Sequence, residues 1–280
     1  MTLFRRLAAA LCAGLCFTAV PASATNYSID FTDLWYIPAE AGWGFNVIQQ
    51  GNTLFGTLFV YGNDQSTRWY VASGMTPQTA AAGQAKFGSK LYQTTGPYFG
   101  AGAFNPAQVV VTEVGDISIT FLTATSAVLV YNVGTTTVTK NVTRQTFASN
   151  SPVGQYQGGI DALTSACVAG STNGASATFL GFLIVNMNAQ SAVTMQLNYL
   201  VLPSGQGTCN FNGTYSQQGR LGSIAGQWSC SINGGPTANS GTYSVSNLDI
   251  QVTGMSGVIT AVDQFCTYNG RFGGLRTTNN

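Results

Sequence analysis

The chain has no histidine, and that absence removes the commonest general base and the commonest side-chain metal ligand. Serine–histidine and cysteine–histidine nucleophilic catalysis are excluded with it. Charge is scarce too: Asp, Glu, Lys and Arg make up 7% of the residues, against about a quarter in an average globular protein. With ten basic and nine acidic residues there is no electrostatic footprint for nucleic acid or an anionic membrane. No phosphate-cradling glycine motif is present, Lys86, Lys90 and Lys140 lack Ser-x-x-Lys spacing, and no close Cys-x-x-Cys pair suggests a thiolate metal site. The sequence therefore predicts no cofactor and no metal. Helical periodicity and strand–helix alternation are also missing from the first half.

What is there begins with an export signal. Arg5 and Arg6 precede an apolar run from Leu7 to Val20, which Pro21 breaks before Ala22-Ser23-Ala24. Residues 1–24 read as a cleavable signal peptide, too short and too closely followed by a cleavage site for a membrane span. The expected location is the periplasm, or the secreted or cell-surface fraction, of a Gram-negative bacterium. Loss of Arg5 and Arg6 leaves eight basic against nine acidic residues, a net charge of −1.

Six cysteines become four when Cys12 and Cys16 leave with the signal. In an exported chain, Cys167, Cys209, Cys230 and Cys266 should form two disulfides, with three possible connectivities. A hairpin centred between Gly219 and Arg220 sets Cys209 opposite Cys230, so that pair is expected, and Cys167–Cys266 follows by subtraction.

The β-branched, aromatic and glycine-rich composition predicts an all-β protein. The polar, proline-containing stretch 148–153 divides it into two antiparallel small β-barrel or sandwich domains in tandem, 25–147 and a disulfide-bonded 154–280. In the first half, strands are expected near 86–94, 108–114, 117–122, 127–132 and 136–146, with Gly115-Asp116 as a turn and 95–107 as a long aromatic loop. In the second, nine strands are expected, 241–245 and 249–253 among them. An outer-membrane barrel is the rival architecture, but the uniformly apolar face described next argues against it.

The stretch 33–74 holds three of the four tryptophans and organises the first half. Gly51-Asn52 is a two-residue hairpin signal, and pairing Gln50 with Thr53 puts Trp43, Phe45, Val47, Leu54, Gly56, Leu58 and Val60 on one apolar face. A four-residue turn at 62–65 then sends Trp69 and Val71 to the core and Arg68 and Tyr70 to the opposite face. A three- or five-residue turn would exchange them. The opposite face, with Phe55, Phe59, Tyr61, Arg68, Tyr70, Asn46 and Gln50, is the candidate binding surface. It suits a glycan, a peptide or an envelope component.

Carboxylates suited to hydrolysis are few. Asp33 and Glu40 flank the Trp35-Tyr36 corner, and as a pair they would supply an alternative function, hydrolysis of envelope polysaccharide. Turn-holding roles account for them more simply. A structural or assembly role at the cell surface is a third reading. The leading expectation is a non-catalytic binding protein.

The segment Leu34-Trp35-Tyr36-Ile37-Pro38-Ala39-Glu40-Ala41-Gly42-Trp43-Gly44, followed by Gln49-Gln50-Gly51-Asn52-Thr53-Leu54-Phe55 and Arg68-Trp69-Tyr70, resembles a group of uncharacterised exported proteobacterial proteins. Their shared pattern is Trp-x-x-Pro-Ala-Glu-Ser-Gly-Trp-Gly, then Gln-Gly-Asp-x-Leu-Phe and Tyr-Asp-x-Asp-Gly-x-x-x-Trp-Tyr. Ala41 stands where the pattern has Ser, and Tyr61-Gly62-Asn63-Asp64-Gln65 replaces its last turn. The resemblance covers about 45 residues. It implies bacterial export and a β fold, and it brings no catalytic residue.

Overall fold

In a computed structural model of the chain, the described residues are 29–100, 102–201, 203 and 205–277; the expected signal peptide lies outside them. Eight strands form a first closed barrel: β1 (Asp33–Tyr36), β2 (Gly44–Gln50), β3 (Thr53–Tyr61), β4 (Thr67–Gln78), β5 (Ala85–Thr95), β6 (Val110–Phe121), β7 (Ser126–Val133) and β8 (Thr136–Arg144). Eight more form a second: β9 (Gly154–Ser165), β10 (Ser176–Met187), β11 (Ala192–Val201), β12 (Gly205–Gln218), β13 (Leu221–Ile232), β14 (Thr237–Gln251), β15 (Gly254–Asp263) and β16 (Thr267–Arg276). In each barrel consecutive strands pair antiparallel and the last strand pairs with the first, β8 with β1 and β16 with β9. Closure removes the exposed edges that an open sheet of this length would present.

Period-two alternation builds both interiors. Val193, Met195 and Leu197 of β11 point inward while Thr194 and Gln196 face solvent. Phe45, Val47, Leu54 and Leu58 are fully buried in the first barrel with Trp35, Phe87 and Leu91. These apolar interiors contrast with the polar lumen of a barrel that crosses the outer membrane. Among the described residues no helix is long and apolar enough to cross a membrane.

Register follows the hairpin reading at one turn and departs from it at the next. Gln50 pairs with Thr53 across Gly51, whose φ of +58° suits glycine. At the following turn Tyr61 pairs with Thr67, so residues 62–66 form a five-residue loop. Gln65 sits at φ +64° there, a left-handed position with no glycine to advertise it. The extra residue exchanges the faces of β4: Trp69 points outward opposite Phe59, and Tyr70 points inward opposite Leu58. Trp35 lies in the core, while Trp43 and Trp228 are half-buried.

Two further expectations are corrected. Gly115-Asp116 is not a turn: β6 runs through it, and the glycine lets the strand pass the Asn132 carbonyl, which a Cβ would meet at 2.1 Å. Likewise 241–245 and 249–253 are not separate strands. Residues 241–251 belong to β14, bent by an irregularity between Ser246 and Asp249, where Asn247 adopts φ +52°.

The disulfides are Cys209–Cys230 and Cys167–Cys266. The first joins directly opposed residues of β12 and β13. The second ties the segment after β9 to the turn before β16.

The β12–β13 hairpin also makes the seam between the barrels. Gly219, at φ +62°, packs so closely on Arg144 and Asp33 that a Cβ would meet each at 2.6 Å. Its N–H donates to Thr146 Oγ1 at 2.7 Å, and the Arg220 N–H donates to Asp33 Oδ2 at 3.1 Å. The Arg220 guanidinium bridges Asp30 of the first barrel's lead-in and Asp249 of the second barrel, at 3.0 and 3.1 Å.

Candidate functional site

The outer face of β2–β4 carries the candidate surface. Along β3, Phe55, Thr57, Phe59 and Tyr61 point away from the core, and Ile48 on β2 and Trp69 on β4 flank them. Ile48, Phe55, Tyr61 and Trp69 are each between 43% and 56% exposed, so nothing in the described chain covers them. Two glycines shape the surface. The Phe59 ring rests over Gly44, where a Cβ would meet it at 2.8 Å, and the Tyr61 ring rests on Gly42, whose Cβ would lie 2.9 Å from its hydroxyl. Side chains at 42 and 44 would lift both rings off the sheet; glycine lets them lie against it. Asn46 and Gln50 are exposed on the same face and bring amide groups to its edge.

Five of the seven expected binding residues meet there. Asn46, Gln50, Phe55, Phe59 and Tyr61 share the outer face. Tyr70 does not: it is 7% exposed within the core, because of the five-residue loop. Arg68 is in register with Val60, on the inward parity, and its guanidinium closes the 62–66 turn on Asp64 at 2.8 Å. Asp64 also accepts from the Ser66 hydroxyl and N–H, and these bonds together with Arg68 hold its carboxyl at about 2. Arg68 thus closes the turn and stands apart from the outer-face row. Trp69 and Ile48 were not among the expected binding residues. Ile48 already had the right parity, and Trp69 needed only the longer turn.

Where Tyr61 meets Gly42, the face adjoins a charged corner. Glu40 Oε2 accepts from Lys140 Nζ at 2.7 Å and from Trp43 Nε1 at 3.1 Å, and Lys140 lies 5.7 Å from the Trp43 ring centroid. The hydrogen bond from Lys140, with further help from Trp43, holds the Glu40 carboxyl below the ordinary carboxylate range. Glu40 is therefore an ionised partner of a lysine.

Asp33 sits in a different environment. Arg144 is buried over Trp35, its guanidinium carbon 5.0 Å from the ring centroid, and it donates to Asp33 Oδ2 at 3.3 Å and to the Asp30 carbonyl at 2.6 Å. Burial pulls the Arg144 guanidinium down, and the Asp33 charge pushes back. Sequence reasoning missed this arginine, although it follows Val142 at inward parity on β8. The Asp33 and Glu40 partners on β8 are four residues apart, about 13 Å along the strand. Each carboxylate has its own cation, so the pair does not converge on a cleft as paired acid–base catalysis requires. Among the described residues no cluster of three or more Cys, Asp or Glu groups could hold a metal.

Comparison with family models, curated proteins and solved structures finds no match. The geometry of the chain itself is what bears on function.

Proposed function

We propose that the chain is an exported, non-catalytic β protein that binds a saccharide chain of the cell envelope on the outer aromatic face of the first barrel. The observation that carries this reading is the row of exposed Phe55, Tyr61 and Trp69 with half-buried Phe59 among them, two of its rings lying over glycines. Flat rings offer an apolar body to the faces of sugar rings, and Tyr and Trp add polar tips. Asn46, Gln50 and the Glu40–Lys140 pair supply hydrogen-bonding groups at the border. The signal-like N-terminus and the two disulfides support an extracytoplasmic site of action. A peptide or an envelope protein is a second class of ligand for the same face, and the test separates them.

The test is an array of envelope-derived glycans and peptides probed with the wild type and with Trp69→Ala and Tyr61→Ala. Glycan binding that both variants lose, with unchanged melting temperature, is the expected outcome. Binding only to peptides, or glycan binding that survives both substitutions, would overturn it.

A further inference from the structure

We infer that the second barrel holds a separate binding site for one small, uncharged apolar molecule, the size of a single aromatic ring or a short alkyl chain. The site is a cavity of about 170 Å³ at the barrel end bearing the disulfides, lined by Phe179, Tyr199, Phe211, Trp228 and the Cys209–Cys230 bridge, with Ala177 and Ala238 at its mouth. An apolar cavity of about 150 Å³ is already large enough to take up benzene.

The hollow has a legible origin. Ala162, Ala177, Ala238 and Ala261 put small side chains at lining positions. The Tyr199 ring lies across Gly207, where a Cβ would stand 2.1 Å from it, instead of projecting across the barrel. Aromatic rings pair edge-to-face around the space, Phe179 with Tyr199 at 5.1 Å and Trp228 with Tyr268 at 6.3 Å between centroids. All four are only partly buried, so the apolar lining reaches solvent.

Three polar groups of the lining, on Trp228, Asn239 and Tyr268, are turned to partners of their own. Tyr268 donates its hydroxyl to Asp263 at 2.8 Å, Asn239 donates its amide to the same carboxylate, and Trp228 Nε1 donates to the Thr242 carbonyl at 3.2 Å. A polar or charged ligand would lose its hydration with few free groups to replace it. An apolar ligand loses nothing and displaces water from an apolar surface.

The opposite end of the same barrel is capped. Tyr156 is fully buried and donates to the Pro152 carbonyl at 2.8 Å, and the Arg276 guanidinium lies 4.9 Å from its ring centroid. That end faces the first barrel, since the β12–β13 hairpin tip packs there. The disulfide end lies about ten strand residues away, roughly 30 Å, and the seam leaves it unobstructed. In the first barrel a plug occupies the interior: Phe31 stacks on Phe121 at 3.8 Å and meets Phe87 edge-on.

Full-length protein with ¹³C-labelled alanine methyls would be titrated with toluene and with glucose. The site predicts saturable shifts at Ala162, Ala177, Ala238 and Ala261 with toluene, none with glucose, and none at Ala72 or Ala85 of the first barrel. Ala238→Trp, a change at an exposed position of the mouth, should weaken toluene roughly tenfold or more by filling the entrance. Ala177→Leu, which narrows the cavity wall, should weaken it too. Toluene shifts that are absent in the wild type, spread over both barrels, or unaltered in both variants would each overturn the inference. If a variant does not fold, the wild-type methyl map decides the question alone.

Discussion

Trp69 and Tyr70 are neighbours with opposite duties, and one residue of loop length assigns them. The sequence shows two aromatic residues in an alternating run but not which of them faces water, because parity is inherited from the turn. The five-residue loop depends on Gln65 at positive φ, a conformation that no glycine or asparagine at that position announces. The two positions should therefore separate stability from binding. Tyr70→Ala should cost roughly 3–5 kcal/mol of stability in a urea melt, as other large-to-small core changes do. Trp69→Ala should leave the urea midpoint in place and remove ligand binding. Asp33 and Glu40 divide in the same way. Asp33→Ala strips a buried arginine of its counter-ion and should destabilise by roughly 3–5 kcal/mol, whereas Glu40→Gln, at an exposed pair, should leave the melting temperature unaltered. Equal effects of the two would contradict the assignment.

Asp263 allows a prediction in pH. Burial raises its carboxyl, but bonds from the Cys266 and Phe265 N–H groups, Asn239 and Tyr268 outweigh that and hold it below the ordinary carboxylate range. The unfolded chain therefore binds the proton first as pH falls, and the stability that Asp263 supplies is present at neutral pH and lost as acid passes through its folded value. The amide shifts of Phe265 and Cys266 should titrate together, with a midpoint below that of an unperturbed aspartate. A midpoint at or above it would show that these bonds do not favour the charged form.

At the level of elements, hairpins decided what could be read in advance. The Gly51-Asn52 turn and the Gly219 turn are short and glycine-marked, so counting outward from them gives the right partners as far as Cys209 and Cys230. Continuous strands with internal irregularities defeat such counting. Gly115 resembles a turn residue in sequence, yet it serves a close approach to the Asn132 carbonyl. The hollow of the second barrel was illegible for another reason: it consists of what small side chains leave empty, and alternation records only polarity. The Gly219 tip gives an element-scale test. Gly219→Ala combines a left-handed φ, which costs roughly 1–2 kcal/mol for a non-glycine residue, with a clash on Arg144 and Asp33. Hydrogen exchange should quicken at residues 143–146 and 217–221 while the Cys209–Cys230 end stays protected. Unchanged exchange at the seam would show that the hairpin tip does not hold the barrels together.

For the whole molecule, two barrels of one topology are stabilised by different means. The first closes through a four-residue β1 and fills its interior with stacked aromatics. The second carries both disulfides, with sequence separations of 99 and 21 residues, and loops of that order are worth roughly 3–5 kcal/mol each in the chain-entropy description. Reduction should therefore lower the melting of the second barrel and spare the first, resolving two calorimetric transitions; a uniform loss in both would contradict this division. The ligand surface proposed for this protein is the outer face of β2–β4. An amide and side-chain NMR map of the wild type, titrated with the best-binding envelope glycan, tests it most directly. Saturable shifts should concentrate at Ile48, Phe55, Phe59, Tyr61 and Trp69, with Tyr70 and the second barrel unmoved. Shifts centred anywhere else, on the second barrel or its cavity above all, would contradict it.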